Sequence, residues 1–211
     1  MSSRRFPGKV LAPFRGLPLV QHVVQAVRRA LPVVPAVVLT SQEPSDEPLA
    51  RYLSAAGIPC FRGPLDDVVE RFLRCLDEHP CTWILRVSAD SPLLEERVLR
   101  AVVSGVERAE VDLVTTTFPR TFPKGQNAEL IRAETLRKLA HEPLTAADRE
   151  HVTPFFYRHP ERFRIINVDS GNSDLAALSF AVDTVEDLQR LEEMSDAQIA
   201  HLLSAPARAV S

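Results

Sequence analysis

Glycine is scarce in this chain, seven residues in 211, and tryptophan occurs once. So little glycine excludes collagen-like and glycine-rich low-complexity architectures, and it leaves most turns to the 17 prolines. These are scattered through turns and element starts, so no proline-rich linker divides the chain. Cysteine is sparse as well. Cys60, Cys75 and Cys81 form an odd set without C-x-x-C spacing, which excludes a disulfide framework or cysteine zinc site and fits a reducing cytoplasm. Free thiols of this kind are expected to be buried and structural. No apolar run reaches membrane-spanning length, and no secretory-type apolar segment follows the basic N-terminus. The sequence therefore reads as that of a soluble, cytoplasmic protein. Nor is there an excess of positive charge: the formal net charge of −3 argues against a nucleic-acid or anionic-membrane surface.

What is present is a local concentration of cations at the start. Residues 1–10 place Arg4, Arg5 and Lys9 around a Pro7-Gly8 turn, ahead of an apolar helix. Such a loop aims backbone N–H groups and cationic side chains at an anion and suits a polyphosphate, although basic residues near a terminus are also commonly just solvated. Behind it, short apolar runs alternate with amphipathic stretches, as in a doubly wound, mostly parallel α/β sheet built around one core. Strands are expected at 36–40, 59–62, 83–87, 112–116, 128–131, 163–168 and 178–182. Helices are expected at 18–31, 46–56, 66–78, 92–108, 133–141, 146–157 and 185–194. The strands crowd together after residue 116, which predicts a mixed sheet edge or small lobe. Residues 1–194 form the expected domain, with a terminal helix and frayed tail at 195–211.

Open α/β sheets bind ligands at the carboxyl ends of their strands. Two acids stand there. Asp90 follows the 83–87 run in Ser88-Ala89-Asp90-Ser91-Pro92-Leu93, and Asp183 follows the 178–182 run in Asp183-Thr184-Val185-Glu186-Asp187. Together they would seat Mg²⁺, which takes few protein ligands beside phosphate oxygens. The plainer reading is that each caps the next helix. For Asp183 that reading is weaker, because Thr184 is the better-placed cap and Asp187 completes its capping box. Asp66-Asp67 reads as favourable charge at a helix N-terminus, and Arg149-Glu150-His151 as a charged helix segment.

Several segments in order then add to one another: 3–11, Gly16-Leu17-Pro18-Leu19, Phe61-Arg62-Gly63 with Asp66-Asp67-Val68 and Arg71, and 86–93. They continue through Pro119-Arg120-Thr121-Phe122-Pro123-Lys124-Gly125, Arg149-Glu150-His151-Val152-Thr153-Pro154, 159–163 and 181–188. From residue 2 to about 194 the chain resembles the cytidylyltransferase-like family of spore-coat polysaccharide biosynthesis protein F. The resemblance implies a Rossmann-like nucleotide-diphospho-sugar transferase fold, related to the sugar-acid cytidylyltransferases. It implies attack of a sugar hydroxyl on the α-phosphate of CTP, giving a CMP-sugar and pyrophosphate for surface polysaccharide. Arg5, Lys9 and Asp90 would be catalytic, and Arg4, Arg5, Lys9, Arg62, Asp66 and Arg71 would serve the nucleotide. Asp90 and Asp183 would hold Mg²⁺, while Asn127, Arg149 and His151 would face the sugar. CTP and a sugar acid are the expected partners, without nucleic acid or membrane; a homodimer is permitted.

Three departures from the family pattern stand out. A buried first strand, roughly isoleucine-isoleucine-glutamine-alanine-arginine, belongs just before the position of Met1 and is missing. The expectation is an in-frame strand upstream, or a gap repaired by another strand or a partner. Asn127 stands where many relatives have aspartate, and Phe180 where tryptophan is common. Two other functions stay open: a glycosyltransferase of the same fold using a nucleotide-sugar donor, and a degenerate nucleotide-binding scaffold. Ser88-Ala89-Asp90 has only one acid of the Asp-x-Asp run usual in the former, which tilts the reading toward nucleotidyl transfer.

Overall fold

The structure, a computed structural model, describes residues 3, 5–107, 110–203 and 208–210. Arg4, expected in the phosphate loop, lies outside the described residues. The chain enters through a single 3-10 turn at Lys9–Leu11 and a small hairpin, β1 (Pro13–Phe14) and β2 (Leu17–Pro18). Then follow α1 (Leu19–Ala30), β3 (Val38–Ser41), α2 (Glu47–Ala55), β4 (Cys60–Gly63), α3 (Val68–Glu78), β5 (Trp83–Val87) and α4 (Glu96–Ser104). The second half comprises β6 (Leu113–Thr115), β7 (Ala128–Arg132), α5 (Ala133–Leu139), α6 (Ala146–His151), α7 (Pro154–Arg158) and β8 (Ile165–Asp169). It closes with α8 (Val185–Glu193), α9 (Asp196–Leu203) and β9 (Arg208–Val210).

β3 and β4 pair in parallel, and the other five long strands form a mixed sheet in the order β5-β7-β6-β8-β9. In it β7 runs antiparallel to both neighbours, β8 parallel to β6, and β9 antiparallel along the edge. The α/β alternation is thus present, while the mixed character, expected at a small edge or lobe of a mostly parallel sheet, runs through the main sheet, where three of the four ladders are antiparallel. Shared helices join the two sheets into one layer. On one face, α1 packs Val20 and Val24 with Val38 and Cys60, and Val23 and Val27 with Trp83, Leu85 and Val87. On the other, α3 lies against β3 and β4 and packs Val69, Phe72 and Leu76 with Ile84 and Ile131. Between the sheets the layer is interrupted: among the described residues β3 pairs only with β4, and β5 only with β7. Every residue of β5 is in consequence half-buried, although strands covered on both faces are normally deep in the core.

Several expected elements take different forms. The 146–157 helix is two, because Val152 adopts φ 72° and Pro154 has no N–H to continue the ladder. The 92–108 helix starts later, at Glu96: Gln126, fully buried, accepts from the Glu95 N–H and donates to the Leu93 carbonyl, holding the Pro92-Leu93 turn outside it. Residues 178–182 are extended but form no ladder strand; their backbone groups bond singly, to Lys124 and to Asp90. The tail, expected to fray, contributes β9, and Ile199 and Leu203 of α9 are buried with Phe14 and Leu191. Of the three thiols only Cys75 is buried; Cys60 is half-buried and Cys81 exposed.

Candidate active site

The two strand-end acids meet. The backbone ties them first: the Val182 N–H donates to the Asp90 carbonyl at 2.9 Å. Neither is a helix cap. α4 begins beyond Asp90, and at α8 Thr184 and Asp187 form the capping box, Asp187 also accepting from the Asp183 N–H at 3.0 Å. Both carboxylates are therefore free to face a common point, and Lys9 occupies it. Its ammonium donates to Asp90 Oδ2 at 2.7 Å, Asp183 Oδ1 at 2.9 Å and the Val182 carbonyl at 2.9 Å. The turn before it makes this possible, since Gly8 takes φ 74°, a left-handed conformation costly for other residues. Lys124 donates to Asp183 Oδ2 at 2.6 Å, and Arg5 forms an ion pair with the same oxygen at 3.1 Å. Ser91 Oγ donates to Asp90 Oδ1 at 3.2 Å.

Burial alone would raise the Asp183 carboxyl, but Lys124 and Lys9 outweigh it and hold the group well below the usual carboxylate range. Burial would likewise lower Lys9, but the bonds and charges of Asp90 and Asp183 raise it above its ordinary value. Asp183 and Lys9 are thus both charged near neutrality. It offers oxygen donors suited to a hard divalent cation, with no third acidic, histidine or cysteine ligand among the described residues. Lys9 fills the point between Asp90 Oδ2 and Asp183 Oδ1, which leaves Asp90 Oδ1 and Asp183 Oδ2 as the oxygens that could face a metal. Two such ligands fit Mg²⁺ if nucleotide phosphates and water complete its coordination.

The other expected site residues lie apart from this cluster. Arg62, at the end of β4, donates to the Ser41 and Glu43 carbonyls and to Glu47. Arg71 is buried, its guanidinium spent on the Pro64 and Leu65 carbonyls. Asp66 is exposed, whereas Asp67 caps α3 and accepts from Arg149 at 2.8 Å. His151 is exposed at the end of α6. Asn127 accepts from Arg120 Nη1 at 2.7 Å.

Two features were not singled out by sequence reasoning. Lys124 lies in a Pro-Lys-Gly turn of the 119–125 segment, which entered only as part of the family resemblance with no role for the lysine. Glu129 is buried on β7, directly across from Arg86 of β5 and Thr115 of β6. It accepts from Arg86, from Tyr157 Oη at 2.6 Å and from Thr153 Oγ1 at 2.8 Å. A single glutamate inside the apolar 128–131 run was the available signal. Phe118 stacks on Tyr157 at 4.9 Å between ring centroids, so this polar group has an aromatic rim.

This combination of an α/β layer, a cationic loop and paired strand-end acids defines a nucleotidyltransferase. The family model described as "Cytidylyltransferase" matches residues 1–204, and the chain belongs to that family. It is similar to the spore coat polysaccharide biosynthesis protein SpsF of Bacillus subtilis, 25% identical over 92% of this chain and 82% of the relative. Among solved structures, a cytidylyltransferase from Leptospira borgpetersenii superposes with a TM-score of 0.87 at 24% identity, covering 97% of this chain and 89% of that one. A CMP:2-keto-3-deoxy-manno-octonic acid synthetase complexed with CTP gives 0.67 at 14% identity, covering 90% and 92%. No helix among the described residues is long and apolar enough to cross a membrane.

Proposed function

We propose that this enzyme transfers the CMP group of CTP to a hydroxyl of a sugar acid, releasing pyrophosphate, in the synthesis of surface polysaccharide. The observation that carries this reading is the convergence of Lys9, Arg5 and Lys124 on Asp90 and Asp183 at the carboxyl end of β5. The sugar oxygen forms a bond to the α-phosphorus as the bond from that phosphorus to the β-bridging oxygen breaks. Pyrophosphate departs with the electron pair, and the hydroxyl proton passes to solvent or to a phosphate oxygen. Mg²⁺ held by Asp90 and Asp183 would neutralise charge on the α-phosphate. Transfer of this kind asks little covalent chemistry of the protein: positioning and charge compensation supply most of the rate.

Lys9 stays locked between the acids and fixes their spacing, while Arg5 is exposed and free to turn to the β- and γ-phosphates. Arg62 and Arg71 act by shaping the turn at the end of β4, with Asp66 at its surface, beside the nucleotide. The acceptor lies over the carboxyl ends of β5 and β6 and the amino end of β7, beside Asn127 and the Glu129 group, with Arg149 and His151 serving it from α6. The resemblance to SpsF, and the fold shared with a synthetase acting on a keto-deoxy sugar acid, support an acidic sugar. The test is incubation with CTP, Mg²⁺ and a panel of 2-keto sugar acids, with pyrophosphate measured and UTP, ATP and nucleotide sugars as controls. CTP- and acid-dependent release supports the reading; release of UDP or CMP from a nucleotide sugar would replace it with glycosyl transfer.

A further inference from the structure

Asp183 carries more cations than it needs. Lys9, on its Oδ1, is sheltered, with 13% of its side chain exposed, and has spent all three ammonium hydrogens on two acids and a carbonyl. Lys124 and Arg5, which share Oδ2, are 52% and 65% exposed, and among the described residues neither has another ionic or side-chain partner. Three cations thus face two carboxylates, leaving the cluster one positive charge in excess, and the exposed pairs are the weakly held ones.

The position of Lys124 is nevertheless fixed with care. Its N–H donates to the Leu178 carbonyl at 3.0 Å, and its carbonyl accepts from the Phe180 N–H at 2.6 Å. Gly125 takes φ 99°, and a Cβ there would lie 2.6 Å from the Phe180 carbonyl carbon. The Pro-Lys-Gly turn is strapped by its backbone to the segment that leads, three residues later, to Asp183. Such a turn sets the root of the Lys124 side chain while leaving its ammonium in solvent reach.

We propose that Lys124 is a triphosphate ligand that also guards the acid pair, so that a divalent cation binds Asp183 only once nucleotide has drawn the lysine away. The inference rests on the nucleotidyl-transfer reading. Before nucleotide arrives, Lys124 and Arg5 cover Asp183 Oδ2, and a free divalent cation must displace two ammonium or guanidinium groups to reach it. A triphosphate offers those cations several anionic oxygens in place of one shared carboxylate oxygen. Lys124 and Arg5 move to it, and Asp183 Oδ2 opens to the metal that accompanies the nucleotide. Lys9, sheltered and triply bonded, does not move. Because linkage is reciprocal, occupancy of the acid pair by metal must also favour nucleotide. A half-buried acid pair is in this way kept from collecting metal in the resting enzyme.

The test compares wild type with Lys124→Met and Lys124→Arg. Mn²⁺ binding without nucleotide is followed by electron paramagnetic resonance, and CTP binding without metal by calorimetry. The expected result for Lys124→Met is opposed: nucleotide-free Mn²⁺ affinity rises about tenfold while metal-free CTP affinity falls about tenfold, the size of one charge-assisted contact. Lys124→Arg should restore CTP affinity and keep Mn²⁺ out. A merely structural role would weaken both ligands together or neither. Unchanged or weaker Mn²⁺ binding in Lys124→Met, or unchanged CTP binding, overturns the proposal. Melting temperatures confirm that the exposed substitutions leave the fold intact. If the opposed shifts appear and yet no sugar acid yields pyrophosphate, the reaction assignment fails and the guarding role of Lys124 stands.

Discussion

Lys9 is the residue that allows Asp90 and Asp183 to lie side by side. Replacing it with methionine leaves two sheltered carboxylates facing each other without the cation between them, with only the exposed Lys124 and Arg5 left on Asp183, and Lys9→Met should cost about 1–3 kcal/mol at pH 7. The loss should shrink near pH 3, where protonation relieves the repulsion; urea denaturation at the two pH values measures it. The same cluster gives a pH dependence of known sign. Asp183 is held below its ordinary value of 3.8, so its contribution is present above that value and is lost as pH falls beneath it. Lys9 is raised above 10.5, so its contribution is present below that value and is lost as pH rises past it. Asp183→Asn should therefore flatten part of the acid limb of a stability profile taken from pH 2 to 7. Asp46, which is buried and held low by bonds that include those from Thr40 and Ser41, adds to that limb, as do Asp148 and Asp187, both also held below their ordinary value. An acid limb unchanged in Asp183→Asn would contradict the assignment. Asp90, Asp183, Lys9 and Arg5 were legible because each breaks a local pattern: an acid ending an apolar run, or cations packed round a Pro-Gly turn. Lys124 was not, since its partner lies 59 positions away and nothing local marks the strap to Phe180.

At the scale of elements, α8 does more than support the core. Thr184 accepts from the Asp187 N–H at 3.2 Å, and Asp187 in return holds both the Thr184 and Asp183 N–H groups. Loss of a threonine cap costs about 1 kcal/mol, and here the same change loosens an acid of the site. Thr184→Ala should lower the melting temperature by about 2–4 °C and also reduce turnover. Melting scans and steady-state rates test this, and a variant that lost stability at full turnover would show that the cap does not position Asp183. Gly125→Ala acts on the opposite strap. Its Cβ has no room against Phe180, so Lys124 and Asp183 should be pushed apart and CTP affinity should fall several-fold in a titration. The capping box was readable from Thr184-x-x-Asp187, and β5 from an apolar run broken only by Arg86. The break between α6 and α7 was also signalled, by Pro154, but the apolar periodicity runs through it and suggests one helix. Residues 178–182 mislead differently: they have a strand's composition, yet their backbone groups serve the site one at a time.

Across the whole molecule, an interruption separates the β3–β4 pair from the sheet that begins at β5 among the described residues. Both helical layers cross it, and β5 lies half-buried beside it, so an extended apolar segment would gain backbone partners on two sides and cover two strand edges. A version of the protein carrying a strand of about five apolar residues ahead of Ser3 should melt about 5–10 °C higher and turn over faster. No gain in either would show that the slot is closed by other means. The alternation of strands and helices made the layer legible in sequence. The pairing of β9 along β8 was not foreseen, because a short tail strand takes its identity from the edge it meets. The central claim, that Asp90 and Asp183 activate CTP for attack by a sugar acid, is tested most directly by ³¹P nuclear magnetic resonance. Wild type, Asp90→Asn and Asp183→Asn would be incubated with CTP, Mg²⁺ and 2-keto-3-deoxy-manno-octonic acid or another acid accepted in the panel. The account predicts a CMP-sugar resonance growing with pyrophosphate in the wild type, at least about 100-fold slower in either variant. Equal rates in folded variants, or bound CTP left intact with every acid, would contradict it.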